Sequence, residues 1–476
     1  MRWAMPGWVW VWAGCAAPQP YLEAPEITSE VEDWRDEVIY QVMVDRFANG
    51  DVNNDFNVTR DPTALARYHG GDWQGLIREV DYLVELGVTA VWISPVVGNV
   101  EEDAGVAGYH GYWTQDFLAT NPHFGDLPKL RELVDVLHGE GIKVIVDIVT
   151  NHVGQLFYYD INRNGQPDTT LYGAGDQDSL EGFGRDPIEV VTEWDPAYDG
   201  RGVQGWTSLG ESGLAPLQWV YMPEINRVPP NPPEFANDAW YNRRGRVTDW
   251  NVPEQVLYGD FPGGLKDLDT ANPEVMAALG EVFKYWITQT NIDGFRIDTV
   301  KHVEHAFWKG FCTDIRDHCA SIGKENFLLF GEVFDGNDAL LGSYTAEREL
   351  DGVFYFSHKF QVFDDVFKRG GPTTKIEQLF RERAVNYSAT PQPGGIGLPP
   401  RDALVGFIDN HDIPRFLWDA PDPRALEAAL VYLLTMDGIP CLYYGTEQGF
   451  RGGNDPANRE PLWWSGMDRA HPLYRH

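Results

Sequence analysis

Four short segments carry acids, histidines and an arginine at spacings that could do proton-transfer or nucleophilic chemistry. They read Asp147-Ile148-Val149-Thr150-Asn151-His152, Gly294-Phe295-Arg296-Ile297-Asp298-Thr299-Val300-Lys301-His302, Gly331-Glu332-Val333-Phe334 and Phe407-Ile408-Asp409-Asn410-His411-Asp412. On a strand, Arg296 and Asp298 project to the same face, so the guanidinium can hold that carboxylate ionised. Carboxyls in opposite protonation states can divide nucleophilic and general-acid roles between them. A single Asp after a strand is more often a helix cap or a solvated loop residue. Four such segments in one chain serve no evident folding purpose.

Each polar segment follows a short apolar run, and the runs recur along the chain. Strands are predicted at Val38 to Val44, Ala90 to Ser94, Lys143 to Ile148, Gly294 to Ile297, Phe327 to Phe330, Gly352 to Phe356, Leu404 to Ile408 and Ile439 to Tyr444. Helical periodicity fills gaps between them at Leu76 to Leu86, Leu127 to Leu137, Val275 to Thr290, Val303 to Ile322 and Arg424 to Thr435. Alternation of this kind predicts a parallel sheet with crossover helices, and eight strands predict a closed α/β barrel of the (β/α)8 TIM type. The polar segments would then share the rim at the carboxyl ends of the strands, where such barrels place their active sites. Residues 34–152 and 263–476 are expected to form the barrel. Residues 153–262, rich in Gly, Pro, Asp, Asn and Trp without sustained period, are expected to form an irregular inserted subdomain after the third strand. Few residues follow Arg459, so the eighth helix is expected to be truncated and a C-terminal β-domain absent.

The formal net charge of −35 over 476 residues repels nucleic acid and anionic membranes and favours cation binding. Aromatic residues make up 13% of the chain, a supply of flat apolar faces of the kind that stack on sugar rings, although most will be core. Residues 1–33 are expected to be an export signal and linker, because Met1-Arg2 precedes a short apolar run ending Trp12-Ala13-Gly14-Cys15. That ending resembles a bacterial lipoprotein cleavage box, which would place a lipid anchor on Cys15. Ordinary secretion stays open beside it, as does a misassigned start. Cys312, Cys319 and Cys441 lack zinc-type spacing and are expected to be buried thiols.

The four segments, in order and spacing, resemble the signature regions of the α-amylase family of glycoside hydrolases, over Val38 to Tyr444. The resemblance implies Asp298 as nucleophile, Glu332 as general acid/base and Asp412 as transition-state stabiliser. It places Arg296, His152, His411 and Tyr112, the last in Tyr109-His110-Gly111-Tyr112-Trp113, around the sugar being cleaved. Lys301 and His302 would lie on the leaving-group side, and Phe334 is expected to be a further substrate contact. Glycosidic cleavage passes through an oxocarbenium-like state, so it needs one carboxylate at the anomeric carbon and one protonated carboxyl at the departing oxygen. Opposite environments would give Asp298 and Glu332 those opposite roles.

The same resemblance carries a calcium ion, between barrel and insertion, onto Asn151, Asp267 and the backbone carbonyl of His302. The stretch from Asp45 to Asp55, together with Gly70-Gly71-Asp72, resembles the N-terminal calcium loop of cyclodextrin glucanotransferases. Its ligands would be Asn49, Asp51, Asn54, Asp55, the Gly70 carbonyl and Asp72, hard oxygen donors that suit calcium. Asp160 to Asp168 is either a third calcium loop or an ordinary polar turn. The expected partner is an α-glucan, met by a secreted or cell-surface monomer. Three readings compete: an endo-acting α-amylase, a transglycosylase on α-glucans, and a non-catalytic glucan-binding or partner subunit. Gly263, read without gaps, falls where cyclodextrin glucanotransferases place a central aromatic ring. Glycine there leaves room for water and favours hydrolysis.

Overall fold

In the computed structural model the described residues are 21–103, 105–160, 169–172, 188–191, 214–219, 221, 228–245, 247–261, 265–419 and 422–476. Cys15, Gly263 and the stretch 161–168 of the third candidate calcium loop lie outside them.

Eight parallel strands form one sheet: β1 (Ile39–Val42), β2 (Ala90–Ile93), β3 (Lys143–Ile148), β4 (Gly294–Ile297), β5 (Leu328–Gly331), β6 (Gly352–Val353), β7 (Val405–Phe407) and β8 (Ile439–Tyr443). Every strand pairs with its neighbour in sequence except β6 and β7, and β8 returns to pair with β1. A single parallel bridge, Phe354 to Val405, closes the ring. The result is the expected (β/α)8 barrel. Nearly every strand position is buried, which is why the strands read as apolar runs rather than as alternations.

Helices start and stop where local chemistry directs. Asp126 caps Leu127–Gly139 by accepting from the Lys129 amide, and Asn272 with Pro273 opens Pro273–Thr290. Gly323, at φ 78°, ends His305–Ile322. Three expectations need correction. The helix expected over Leu76 to Leu86 is two, Trp73–Arg78 and Val80–Leu86, with Glu79 as the joint. The sixth strand keeps only two ladder residues, because the chain turns into a helix at Phe356. Helical turns at Lys359–Lys368 and Thr374–Asn386 were not read from the sequence, the first having π geometry that breaks the 3.6-residue period.

Between β3 and β4 the described residues form short antiparallel pairs: Phe157–Tyr159 with Leu217–Trp219, Thr169–Tyr172 with Ile188–Val191, and His152–Val153 with Lys266–Asp267. Cys312, Cys319 and Cys441 are buried free thiols, as expected.

Candidate active site

Asp298 and Glu332 each stand one residue beyond a barrel strand, and the β4–β5 register sets Ile297 against Gly331, so the two acids emerge side by side. Backbone bonds fix both: the Asp298 N–H donates to Ile148 O at 2.9 Å and the Glu332 N–H to Ile297 O at 2.8 Å. One guanidinium serves the whole floor. Arg296 donates from Nη1 to Asp147 Oδ1 and Oδ2 at 2.8 and 2.9 Å and to Asp298 Oδ1 at 2.9 Å. Its Nη2 lies 3.0 Å from Glu332 Oε2, close enough for ion pairing though the angle makes no hydrogen bond. Thr299, between the acids, sits at φ 52°, a left-handed conformation costly for a β-branched residue. There its N–H donates to Glu332 Oε2 at 3.3 Å.

Burial dominates the protonation of this floor. It pushes the Glu332 carboxyl up to about 8, against Arg296 and assisted by Asp298 and Asp412. It pushes Asp298 up to about 7 in spite of Arg296. The expectation that Arg296 can hold Asp298 ionised is therefore corrected: burial outweighs the guanidinium, which is also shared with Asp147, whose own charge raises Asp298 further. Glu332 still retains its proton to higher pH, and the two titrate as a pair.

Across the cleft, after β7, Asp412 has a third of its side chain exposed. Burial favours its neutral form, but His411, Arg459 and Arg296 outweigh burial and hold it below the usual carboxylate range. Arg459 donates to Asp412 Oδ1 at 3.2 Å and to the His411 carbonyl at 3.0 Å, and it pairs with Asp455 at 2.9 Å. Tyr112, in the loop between Val97–Asn99 and Thr114–Thr120, donates to Asp147 Oδ2 at 2.7 Å and lies 2.7 Å from His411 Nε2. Burial pushes His152 and His411 down to about 3 and His302 to about 4, so all three are neutral hydrogen-bonding groups near neutral pH.

These groups line one cleft of about 680 Å³. Tyr112, His152, Asp298, Lys301, His302, Glu332, Phe334, His411 and Asp412 all face it, while Arg296 lies fully buried beneath. Lys301 donates to the Phe334 carbonyl at 2.6 Å, and His302 Nδ1–H donates to Val256 O at 2.8 Å, which ties the rim to the helix Pro253–Tyr258. Phe334 and Trp250, 40% and 48% exposed, offer flat faces in the cleft. Sequence reasoning missed Gln41, whose amide meets the His411 ring, Trp92, whose indole N–H donates to Asp147 Oδ2 at 3.1 Å, Asp147 as a site group, and Arg459. Asp147 carried a signal, since it is an acid at a buried position one residue before the end of an apolar strand. The others are recognisable only through contacts made far along the chain.

The candidate calcium ligands divide. Asn151 and Asp267 are brought together by the pairing of Asp267 with His152, and each has a buried side-chain oxygen, Oδ1, without a protein partner. Burial raises the Asp267 carboxyl well above its usual value, with only the Asn242 amide opposing. Unpaired buried oxygens of this kind fit a hard cation. In the loop, Gly70 at φ 91° passes so close that a Cβ would stand 2.6 Å from Asp55 Oδ1 and 2.7 Å from Asn49 Nδ2. Asp72 already accepts from the Gly50, Asp51 and Gly75 amides, and Asp51 from Asn53, which leaves Asn54 Oδ1 as the unpartnered acceptor. The loop gathers its expected residues but fits a cation less openly than the junction does. Among the described residues no three His, Cys, Asp or Glu side chains converge as a metal cluster, so any site here would rest on amide and carbonyl oxygens as well.

Residues 41–471 match the alpha-amylase family description, "alpha amylase, catalytic domain". The chain is 34% identical over 465 residues to a beta/alpha-amylase of Paenibacillus polymyxa, covering 94% of this chain and 30% of the relative. It is 31% identical to a cyclomaltodextrin glucanotransferase of Geobacillus stearothermophilus, covering 90% of this chain and 51% of the relative. Among solved structures, an Anoxybacillus alpha-amylase superposes with a TM-score of 0.66 at 29% identity, over 94% of this chain and 77% of the other. The chain thus spans about half or less of the length of these curated relatives. The barrel and this match over nearly its whole length together make the chain a member of the alpha-amylase family.

Proposed function

We propose that the chain is the catalytic part of a retaining α-glucan hydrolase that cuts internal α-1,4-glucosidic bonds of starch. The observation that carries this is the trio Asp298, Glu332 and Asp412 lining one cleft, two of them on a single guanidinium. Asp298 attacks the anomeric carbon, Glu332 protonates the departing oxygen, and the bond to Asp298 is then hydrolysed with Glu332 as base. Asp412, His411 and His152 bind ring hydroxyls more tightly as the ring distorts. Phe334 and Lys301 meet the leaving portion of the glucan.

Asn151, Asp267 and the His302 carbonyl would hold a calcium ion where the insertion leaves and rejoins the barrel; the ion would neutralise charge there and, bound only by the native state, would add to stability. Chelation should lower the melting temperature. An unchanged melting curve in excess EDTA, with the metal shown to be removed, counts against it. An export signal with secretion, or a lipid anchor on Cys15, completes the reading for residues 1–33.

Transglycosylation is the second reading, favoured by the similarity to a cyclomaltodextrin glucanotransferase. Chromatography of early starch digests separates the two: linear maltooligosaccharides with α-anomeric ends support the hydrolase, and cyclodextrins as main product overturn it. Release of β-anomers would remove the retaining mechanism altogether.

A further inference from the structure

Gln41 lies on β1 with its side chain buried, and its amide nitrogen stands 2.6 Å from Nδ1 of His411, itself 1% exposed. The other ring nitrogen, Nε2, faces two oxygens: Tyr112 Oη at 2.7 Å and Asp412 Oδ2 at 3.2 Å. A neutral imidazole carries one proton, so one nitrogen donates and the other accepts. Burial first, then Arg296 and Arg459, keep this ring neutral against the pull of Asp412. Those three charges, with His110 and the Tyr112 hydroxyl, are the ionisable groups that face it.

One proton assignment satisfies every contact. With the proton on Nε2, the ring donates toward Tyr112 Oη and Asp412, and the Tyr112 hydroxyl proton stays free for Asp147 Oδ2 at 2.7 Å. Nδ1 then accepts from the Gln41 amide. With the proton on Nδ1, the amide must turn oxygen-first, the Nε2 lone pair faces the Asp412 carboxylate, and Tyr112 can serve one of its two partners only. Either way the amide keeps one unpartnered atom, Oε1 in the first case, so the Asp412 contact decides.

We propose that Gln41 is a positioning residue whose amide N–H fixes His411 in the Nε2–H tautomer, so that the ring's one donor faces the cleft at Asp412, where an entering sugar hydroxyl can take it in place of a present acceptor. Which nitrogen is protonated is set by the bond the other makes. The proposal rests on the α-glucan reading for what the donor meets, not for the tautomer itself.

Histidine-ring ¹⁵N NMR of the full chain, with the resonance assigned by its loss in His411→Ala, reads the tautomer directly. The expected spectrum shows Nε2 protonated. Gln41→Glu replaces a donor with an acceptor and should move the proton to Nδ1. It should also lower kcat on maltooligosaccharides by roughly 10–100-fold, taking as a guide the loss seen when a metal-binding histidine loses its outer partner. KM should change less, because the defect lies in the transition state. Gln41→Leu should give mixed tautomers; should it fail to fold, the wild-type and Gln41→Glu spectra still decide. An Nδ1–H wild-type ring, or a Gln41→Glu ring identical to wild type, overturns the proposal. Nε2–H in a protein inert on α-glucans upholds it while removing the functional reading.

Discussion

The two banks of the cleft hold carboxylates in opposite conditions. On the β4–β5 bank, Asp298 and Glu332 are almost fully buried, crowd one arginine that Asp147 also claims, and are both raised. On the β7 bank, Asp412 is part-exposed, has Arg459 and a neutral histidine beside it, and is lowered. Three acids thus acquire two behaviours from cation supply and access to water alone. A bank starved of positive charge can hold and hand over protons. A well-supplied bank keeps a fixed negative charge, which is what the proposed mechanism asks of it beside an oxocarbenium-like state.

The severest way to break this contrast is to remove the proton-handling bank. Asp298→Asn and Glu332→Gln should each cost about 10^3 or more in turnover on starch with the fold intact by circular dichroism. Near-wild-type turnover in either would end the assignment. Asp412→Asn deletes a fixed charge rather than a reacting group, and the expected loss in kcat is about 10^2 to 10^3. A loss equal to that of Asp298→Asn would mean that the banks do not differ as described.

Arg459→Lys keeps the charge but not the fork that holds Asp412 and the His411 carbonyl together, and roughly tenfold is expected, mostly in kcat. The pH profile of kcat/KM should be bell-shaped, falling on the acid side as Asp298 takes up a proton and on the alkaline side as Glu332 loses one. The smallest effect is on stability. Glu332 in the fold holds its proton more tightly than in the unfolded chain, so wild type should lose stability as pH rises from its unfolded value toward about 8. Glu332→Gln should escape that loss, and its melting temperature should gain on wild type across the same window. A constant difference would contradict the raised Glu332.

The β4–β5 bank was largely legible in the sequence, because Arg296, Asp298 and Glu332 sit at fixed offsets from apolar strands whose buried faces leave the polar ends no other place. The β7 bank was half legible. Asp412 and His411 follow a strand in the same way, but Arg459 reaches them from a loop 47 residues on, and Gln41 reaches His411 across 370 residues. No local pattern encodes such pairs. The depth at which Asp298 is buried, and the share of Arg296 taken by Asp147, do not show in the local pattern, and burial first, with Asp147 adding to it, is what turned an expected ionised Asp298 into a raised one. The π-helical stretch Lys359–Lys368 escaped because its repeat matches neither the helical nor the strand period.

The ring of strands has one place where it is barely stitched. Between β6 and β7 a lone backbone bridge joins Phe354 to Val405, and stacked rings, Phe354 on Phe407 at 3.7 Å, take over where a ladder would run. Glu332 stands before this seam in the strand order and Asp412 after it, whereas Asp298 and Glu332 share a continuous ladder. Breathing of the molecule should therefore concentrate there, with amides flanking the seam exchanging with solvent sooner than those of β3 and β4. Such motion would vary the gap between the two banks while leaving Asp298 and Glu332 in register on their shared ladder.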